Sequence, residues 1–202
     1  MYQPALHRET RPEVMEALIA AHPFGLLIST GPEGLLANGV PFLMREGVLR
    51  THLARANPQW ESLQDQEVLV VFQGPMAYVS PGFYASKAEH GKVVPTWNYA
   101  MVQVRGRARV TQEAAWLGAQ VSALTDAMEA GQRAPWAVSD APGNFITQQM
   151  RAIVGVEVAI SSMEGKWKVS QNRNTADREG VIAGLEPEAP AMADLVRRFG
   201  PS

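Results

Sequence analysis

The chain has 202 residues, of which 46% are hydrophobic and 19% are charged, and its formal net charge is −2. This length and this apolar content predict a single domain with a hydrophobic core of its own. The sequence contains no cysteine, which excludes disulfides, thiolate metal sites and a cysteine nucleophile. The small negative charge argues against a protein that holds DNA through many phosphate contacts, because such proteins usually carry a basic surplus.

The N-terminal segment, residues 1–10, mixes polar and charged side chains and has no apolar stretch of signal-peptide length. No later stretch is long enough to cross a bilayer. We therefore expect a cytoplasmic protein. The histidines are scattered and form no HExxH motif, and neither a GxxxxGK[ST] loop nor a GxGxxG motif occurs. A metal site is not expected.

The first predicted element is a helix that starts near Pro12 and ends at His22-Pro23, because the residue before a proline is disfavoured in a helix. Short apolar segments bounded by glycine turns follow, which predicts hairpins of an antiparallel sheet. The predicted strands are residues 24–30, 36–45, 48–53, 67–72, 77–79, 100–110, 153–162 and 166–169. Glu164-Gly165 is predicted to be the turn between the last two.

Helices are predicted at residues 112–130, at residues 143–150 and at the C-terminus, where Gly200-Pro201 should end the last helix. The span 81–91 is predicted to be a flexible loop. About seven strands in one meander, flanked by three or four helices, predict an α+β fold with an antiparallel barrel, since closure removes exposed strand edges.

Two segments near strand ends are candidates for ligand contact. In HLARANPQW, residues 52–60, Asn57 can cap a short helix that begins at Pro58, and a helix N-terminus beside Arg55 suits a phosphate. A capped connector with a solvated arginine explains this segment equally well. In FQGP, residues 72–75, the glycine would let a planar ring approach the backbone, although a plain turn is the simpler interpretation.

Two further segments combine aromatic and polar side chains. VPTWNY, residues 94–99, offers a stacking surface together with a hydroxyl and an amide for the edge of a flat ligand. The alternative is a strand start anchored by its tryptophan. WKVSQNR, residues 167–173, either forms an exposed loop or supplies donors to a polar ligand at the mouth of the barrel.

Together with MYQP at residues 1–4 and HPFG at residues 22–25, these segments resemble the PaiB-like family of FMN-binding negative transcriptional regulators. The resemblance covers nearly the whole chain. It extends to the wider FMN-binding split-barrel group, which includes pyridoxamine phosphate oxidases. It implies an antiparallel, Greek-key-type split barrel with flanking helices, in one domain over residues 1–202 with residues 165–202 as a helical extension.

The resemblance also implies a homodimer with FMN at the subunit interface. By motif, His52, Ala54, Arg55 and Asn57 match the segment that holds the flavin phosphate, with Arg55 as the phosphate ligand. The remaining cofactor-binding residues that the motifs imply are Gln73, Thr96, Trp97, Asn98, Ser170, Gln171 and Arg173. No catalytic residue is assigned.

Three functions are compatible with these patterns. The resemblance implies a flavin-binding regulator of transcription, for which direct DNA binding is doubtful because no helix-turn-helix is evident and the net charge is −2. The alternative is a flavin-dependent oxidoreductase that acts on a small molecule, with hydride carried by the flavin N5. The third is a structural dimer without flavin. Whether the chain is an enzyme stays open at this point.

Overall fold

The computed structural model describes residues 1–199 as an α+β fold with eight strands and six α-helices among those residues. The strands are β1 Arg8–Glu9, β2 Phe24–Gly31, β3 Gly34–Pro41, β4 Leu43–Arg45, β5 Val48–Ala54, β6 Glu67–Val79, β7 Thr96–Thr111 and β8 Ile153–Lys168. The helices are α1 Pro12–Ala21, α2 Ser86–His90, α3 Ala114–Glu129, α4 Gly143–Arg151, α5 Thr175–Leu185 and α6 Pro190–Arg198. None of these helices is long and apolar enough to cross a membrane.

The strands form one sheet in the order β3-β2-β6-β7-β8-β5-β4, and β1 pairs with β8. The β2–β3 hairpin runs antiparallel up to the pair Gly31 and Gly34, where Gly34 has a φ of 115° that favours glycine. The β5–β8 pair runs antiparallel up to Ala54 opposite Ile153. This last pairing places the predicted phosphate segment beside the start of β8.

The residues group into two compact units. Unit 1 comprises residues 1–18, 73–102 and 164–199, and unit 2 comprises residues 19–72 and 103–163. The long strands β6, β7 and β8 each contribute residues to both units.

In the core of unit 2, residues of β7 alternate between buried and exposed, as the alternation of apolar and charged residues from 104 to 109 indicates. Val104, Gly106 and Ala108 are buried, whereas Arg105, Arg107 and Arg109 are exposed. A Cβ added at Gly106 would lie 2.4 Å from the carbonyl oxygen of Ala159, so only glycine fits this close approach of two strands.

The core of unit 1 is formed by its strand segments with α5 and α6, and its buried side chains include Val79, Trp167, Val181, Met192 and Val196. The span 81–91 is helical rather than a loop: residues Pro81–Phe83 form a 3-10 turn and α2 follows. Buried Asp177 explains the difference, because its carboxylate accepts hydrogen bonds from the backbone N–H and the hydroxyl of Ser86, at 2.9 and 2.8 Å.

Two predicted turns are continuous strand. Segments 67–72 and 77–79 form the single strand β6, and Glu164-Gly165 lies inside β8. In both cases the glycine serves packing: a Cβ at Gly74 would lie 2.8 Å from the side chain of Leu18, and one at Gly165 would lie 2.9 Å from that of Met15. Glycine at these positions permits close approach and does not reverse the chain.

Three other boundaries differ from the prediction. The predicted strand 36–45 is divided by Phe42 into β3 and β4. Helix α5 was not predicted; it begins after Asn174, whose side-chain oxygen accepts from the N–H of Asp177 at 2.8 Å. Helix α6 ends at Arg198, and the predicted stop at Gly200-Pro201 lies outside the described residues.

Candidate functional site

The segment after β5 in unit 2 has the predicted local structure. Asn57 Oδ1 accepts from the N–H of Gln59 at 3.0 Å and caps a short 3-10 helix, Pro58–Ser62. The indole N–H of Trp60 donates to the carbonyl of Arg55 at 2.9 Å and closes the turn. The predicted cap of Asn57 on a short helix that begins at Pro58 is therefore confirmed.

Arg55 is held in place by the chain around it. Its Nε and Nη2 donate to the carbonyls of Arg151 and Ile153, at 2.8 and 3.1 Å, and its Nη1 donates to Gln112 Oε1 at 2.6 Å. A guanidinium has five N–H donors, so two remain for a ligand. The backbone N–H of Arg55 also donates to the carbonyl of Ala152 at 2.7 Å. This arginine is oriented by the protein before any ligand binds.

Arg55 lines a cavity of about 550 Å³ in unit 2. A second cation, Arg151, and the apolar side chains of Leu117, Ile146 and Met150 also line it. Ligand cavities usually measure roughly 300–1,000 Å³, so this one is large enough for a flavin-sized molecule, and its two guanidinium groups suit an anionic end. His52, Ala54 and Asn57 are not among its lining residues.

His52 lies within β5 and is partly buried. Burial lowers the pKa of its imidazole below the ordinary value, because an apolar environment disfavours the charged form. Its Nδ1 is buried and has no hydrogen-bond partner within residues 1–199. A neutral imidazole with an unused nitrogen can donate to or accept from a ligand. Ala54, the last residue of β5, is exposed.

The sequence analysis did not single out Gln59, which is completely buried. Its amide donates to the carbonyl of Leu27 at 3.2 Å and to the hydroxyl of Ser29 at 2.8 Å, and it accepts from Asn38 at 2.9 Å. This network fixes the turn after β5 against the β2–β3 hairpin. The sequence signal available for Gln59 was its place two residues after the cap Asn57, which accepts from the backbone N–H of Gln59.

In unit 1 the structure brings together the predicted residues Thr96, Asn98, Ser170 and Arg173, which line a cavity of about 110 Å³. Buried Asn98 donates from Nδ2 to Ser170 Oγ at 2.9 Å. Ser170 has a φ of 63°, in the left-handed region that is unfavourable for residues other than glycine. Strained backbone of this kind persists only where the surrounding contacts hold it.

Five lining residues of this cavity are not among the predicted cofactor contacts: Tyr84, Val94, Pro95, Lys168 and Asn172. All but Tyr84 lie within the candidate segments 94–99 and 167–173. The Lys168 ammonium donates to the Thr96 hydroxyl and to the carbonyl of Trp97, the latter at 2.8 Å. Burial lowers the pKa of Lys168, and repulsion from the cations Lys166 and Arg173 lowers it further, against an opposing effect of Tyr99. Lys168 belongs to the candidate segment WKVSQNR, residues 167–173, so the motif already contained it.

The remaining predicted residues of unit 1 lie outside the small cavity. Trp97 is 54% exposed, and its ring meets that of Tyr78 edge to face, with centroids 6.0 Å apart. Gln73 donates to the carbonyl of Ala100 at 3.2 Å. Gln171 accepts from the N–H of Val169 at 2.8 Å and lines a different cavity. Trp97 therefore offers a ring surface, whereas both glutamines have backbone partners.

Comparison with known proteins assigns the family. Residues 1–162 match the family described as "Putative FMN-binding domain". The chain belongs to this FMN-binding family. It is 34% identical to an uncharacterised protein of Emericella nidulans over 99% of this chain and 98% of that protein, which supports the same assignment.

Two further proteins are similar to this member of the FMN-binding family. Protease synthase and sporulation protein PAI 2 of Bacillus subtilis is 28% identical over 97% of this chain and 96% of its own length. The structure of the FAD and heme binding protein from Mycobacterium smegmatis superimposes with a TM-score of 0.62 and 18% identity, and the match covers 88% of this chain and 80% of that chain. The resemblance to the PaiB-like family and the predicted α+β split-barrel fold are thereby confirmed.

FMN is the cofactor that the family assignment gives to this chain. The residues present fit such a group. In unit 2, Arg55 has two uncommitted donors that suit a phosphate, and the cavity it lines is of flavin size. In unit 1, Trp97 presents an exposed ring surface. His52 adds a buried ring nitrogen without a partner inside residues 1–199.

Proposed function

We propose that the chain is an FMN-binding homodimer that acts as a negative regulator of transcription of the PaiB type. The observation that carries the proposal is the match of residues 1–162 to an FMN-binding family, in a chain that aligns over 97% of its length with PAI 2 of Bacillus subtilis. Bound FMN supplies a redox-active ring, through which the regulator could respond to the reducing state of its surroundings.

The proposed cofactor contacts fall into two groups. In unit 2, Arg55 binds the flavin phosphate, because it is a fixed guanidinium with unused donors; His52, Ala54 and Asn57 lie in the same segment. In unit 1, Trp97 borders the flavin ring. The other proposed unit 1 contacts are Gln73, Thr96, Asn98, Ser170, Gln171 and Arg173. Each group is tested by its own variants.

An apolar sheet face in unit 2 supports the homodimer. Phe24, Leu26 and Leu35 are 67%, 40% and 80% exposed. The strand register puts them on one face with Leu69 and Val71, since Leu26 lies opposite Val71. None of these five positions is charged, although exposed Glu67 borders them on the same face of β6, so two copies can pack the apolar positions against each other across a two-fold axis.

Substitution of Leu26 by aspartate tests the dimer. Placing a carboxylate at the centre of a self-paired apolar face should make the chain monomeric at micromolar concentration, because two like charges would meet there without water. Sedimentation equilibrium measures the mass. Leu6→Asp is the matched control, since Leu6 is 54% exposed in unit 1 and lies outside this face. An unchanged dimer in Leu26→Asp would exclude this face as the interface.

The cofactor part of the proposal is tested by the visible absorption spectrum of the purified chain after incubation with FMN and desalting. Retention of about one FMN per chain supports it. A folded protein that retains no flavin refutes it and leaves the third function, a flavin-free dimer.

The regulatory part needs a separate experiment. Transcripts are compared between cells that carry the intact gene, cells that lack it and cells that carry Arg55→Ala. Derepression of the same genes in the last two strains supports a flavin-dependent negative regulator. Mobility-shift assays with the upstream DNA then separate direct from indirect action; we expect no shift with the purified protein alone, because its net charge is −2. Identical transcripts in all strains would refute regulation.

A further inference from the structure

The small cavity of unit 1 is much smaller than the cavities that usually hold whole cofactors. Its volume is about 110 Å³, whereas cavities for drug-sized ligands measure roughly 300–1,000 Å³. A water molecule takes up about 30 Å³ of the liquid, so the cavity has room for roughly four waters. This is the scale of a phosphate or a carboxylate group, and a ligand of that size must use the polar side chains that line it.

The lining of the cavity is positively charged. Lys168 and Arg173 line it, and no aspartate or glutamate does. Neither cation forms an ion pair with an acidic side chain among residues 1–199. Burial lowers the pKa of Lys168, and repulsion from Lys166 and Arg173 lowers it further against an opposing effect of Tyr99, so the charged ammonium is disfavoured there without a nearby anion. An anion in the cavity would offset that repulsion.

A buried hydroxyl provides independent evidence for a ligand. Tyr84 lines the cavity and is only 3% exposed, and its hydroxyl is buried with no hydrogen-bond partner within residues 1–199. Buried polar groups are nearly always paired, so an unpaired one requires an explanation. The Arg173 guanidinium lies over the Tyr84 ring, with its carbon 4.3 Å from the ring centroid. Tyr84 therefore positions the Arg173 guanidinium with its ring, and its hydroxyl remains available to donate to a ligand.

The donors are also fixed before a ligand arrives. The hydrogen bond from Asn98 fixes the hydroxyl of Ser170, whose backbone is in the left-handed region. The contacts of Lys168 with Thr96 and with the carbonyl of Trp97 hold the ammonium at the cavity. Preorganised donors of this kind are typical of binding sites and would be unnecessary in a solvated turn.

We propose that this cavity binds the anionic group, a phosphate or a carboxylate, of a small ligand, with Lys168, Arg173 and the Tyr84 hydroxyl as its donors. The identity of that ligand rests on the proposed function: if Arg55 holds the flavin phosphate, the anion belongs to a second molecule that binds beside Trp97, and Arg173 then contacts that molecule and not FMN. If the flavin phosphate occupies the cavity instead, the cavity is still an anion site and the role of Arg55 is wrong.

Calorimetric titration of the full chain with inorganic phosphate, with and without bound FMN, tests the proposal. Tyr84→Phe should weaken phosphate binding about tenfold or more, because a hydrogen bond to a charged group is lost. Its thermal stability should be unchanged, since the hydroxyl has no partner within residues 1–199. Arg173→Gln should weaken binding at least as much. Lys87→Gln removes an exposed charge of α2 and should have no effect.

FMN and riboflavin distinguish the two sources of the anion. If phosphate binds the FMN-loaded chain and Tyr84→Phe weakens only that binding, the site belongs to a second ligand. If Tyr84→Phe weakens FMN binding but not riboflavin binding, the site holds the flavin phosphate. If Tyr84→Phe and Arg173→Gln alter neither phosphate nor FMN affinity by more than about twofold, the anion site is refuted. Because the phosphate titration needs no flavin, this failure is distinct from a failure to bind FMN.

Discussion

Replacing Arg55 by alanine separates the structural role of this residue from its proposed role as phosphate ligand. The side chain makes three hydrogen bonds to the chain, at 2.6 to 3.1 Å, and it is exposed. Exposed hydrogen bonds contribute at the low end of about 0.5–1.5 kcal/mol each, so the variant should lose about 1.5 kcal/mol of unfolding free energy. Urea unfolding of the flavin-free protein measures this loss.

The same variant should bind FMN about 10- to 100-fold more weakly, because a charged hydrogen bond to phosphate is lost in addition. Riboflavin affinity should fall much less, since riboflavin has no phosphate. Arg107→Ala is the matched control: it removes an exposed guanidinium that donates to the carbonyl of Asp65 and does not line the cavity that Arg55 lines, so we expect a small loss of stability and nearly unchanged FMN affinity. An equal loss of FMN and riboflavin affinity in Arg55→Ala would refute the phosphate assignment.

Two further predictions concern His52 and Trp97. Because burial lowers the pKa of His52, the unfolded chain takes up a proton at this residue before the folded chain does as the pH falls through about 6.5, and stability decreases. His52→Gln should make the decrease of Tm between pH 7.5 and 5.5 smaller; part of the decrease should remain, because the pKa of His7 is also lowered. A pH profile of Tm identical to that of the unsubstituted chain would contradict the assignment. Trp97→Ala should change flavin fluorescence and flavin affinity if the indole borders the ring. The substitution should lower the unfolding free energy by about 1 kcal/mol or less, because the Trp97 ring is half exposed and makes one aromatic pair. An identical spectrum and Kd would show that Trp97 has a purely structural role.

The local elements followed from the sequence because their causes are local. The alternation of β7 is visible in residues 100–110, and its buried and exposed positions are those expected. Asn57 and Pro58 specify the short helix after β5 by a cap and a fixed φ. The family resemblance through HLARANPQW and VSQNR was also available from the sequence and agrees with the family match.

The errors arose at glycines and at a serine whose roles depend on distant residues. Gly74 and Gly165 look like turn residues, yet both lie in continuous strands because side chains of α1 pack against them. Residues 81–91 look like a loop in the sequence. They are helical because Asp177, 91 positions beyond Ser86, accepts a hydrogen bond from the backbone N–H of Ser86 at the start of α2. A short-range pattern does not contain these contacts, since each joins segments far apart in the chain.

For the candidate site as well, some features followed from the sequence and others only from the tertiary structure. The sequence alone determined the fold class, the family and the segments that carry the polar and aromatic residues. Only the tertiary structure showed that Arg55 is fixed by Arg151 and Ile153, and that Tyr84 and Lys168 complete a cavity whose charge is not balanced by any acid among its lining residues. The physical reason is that burial, a lowered pKa and an unpaired hydroxyl are properties of the surroundings of a side chain, and those surroundings exist only after folding.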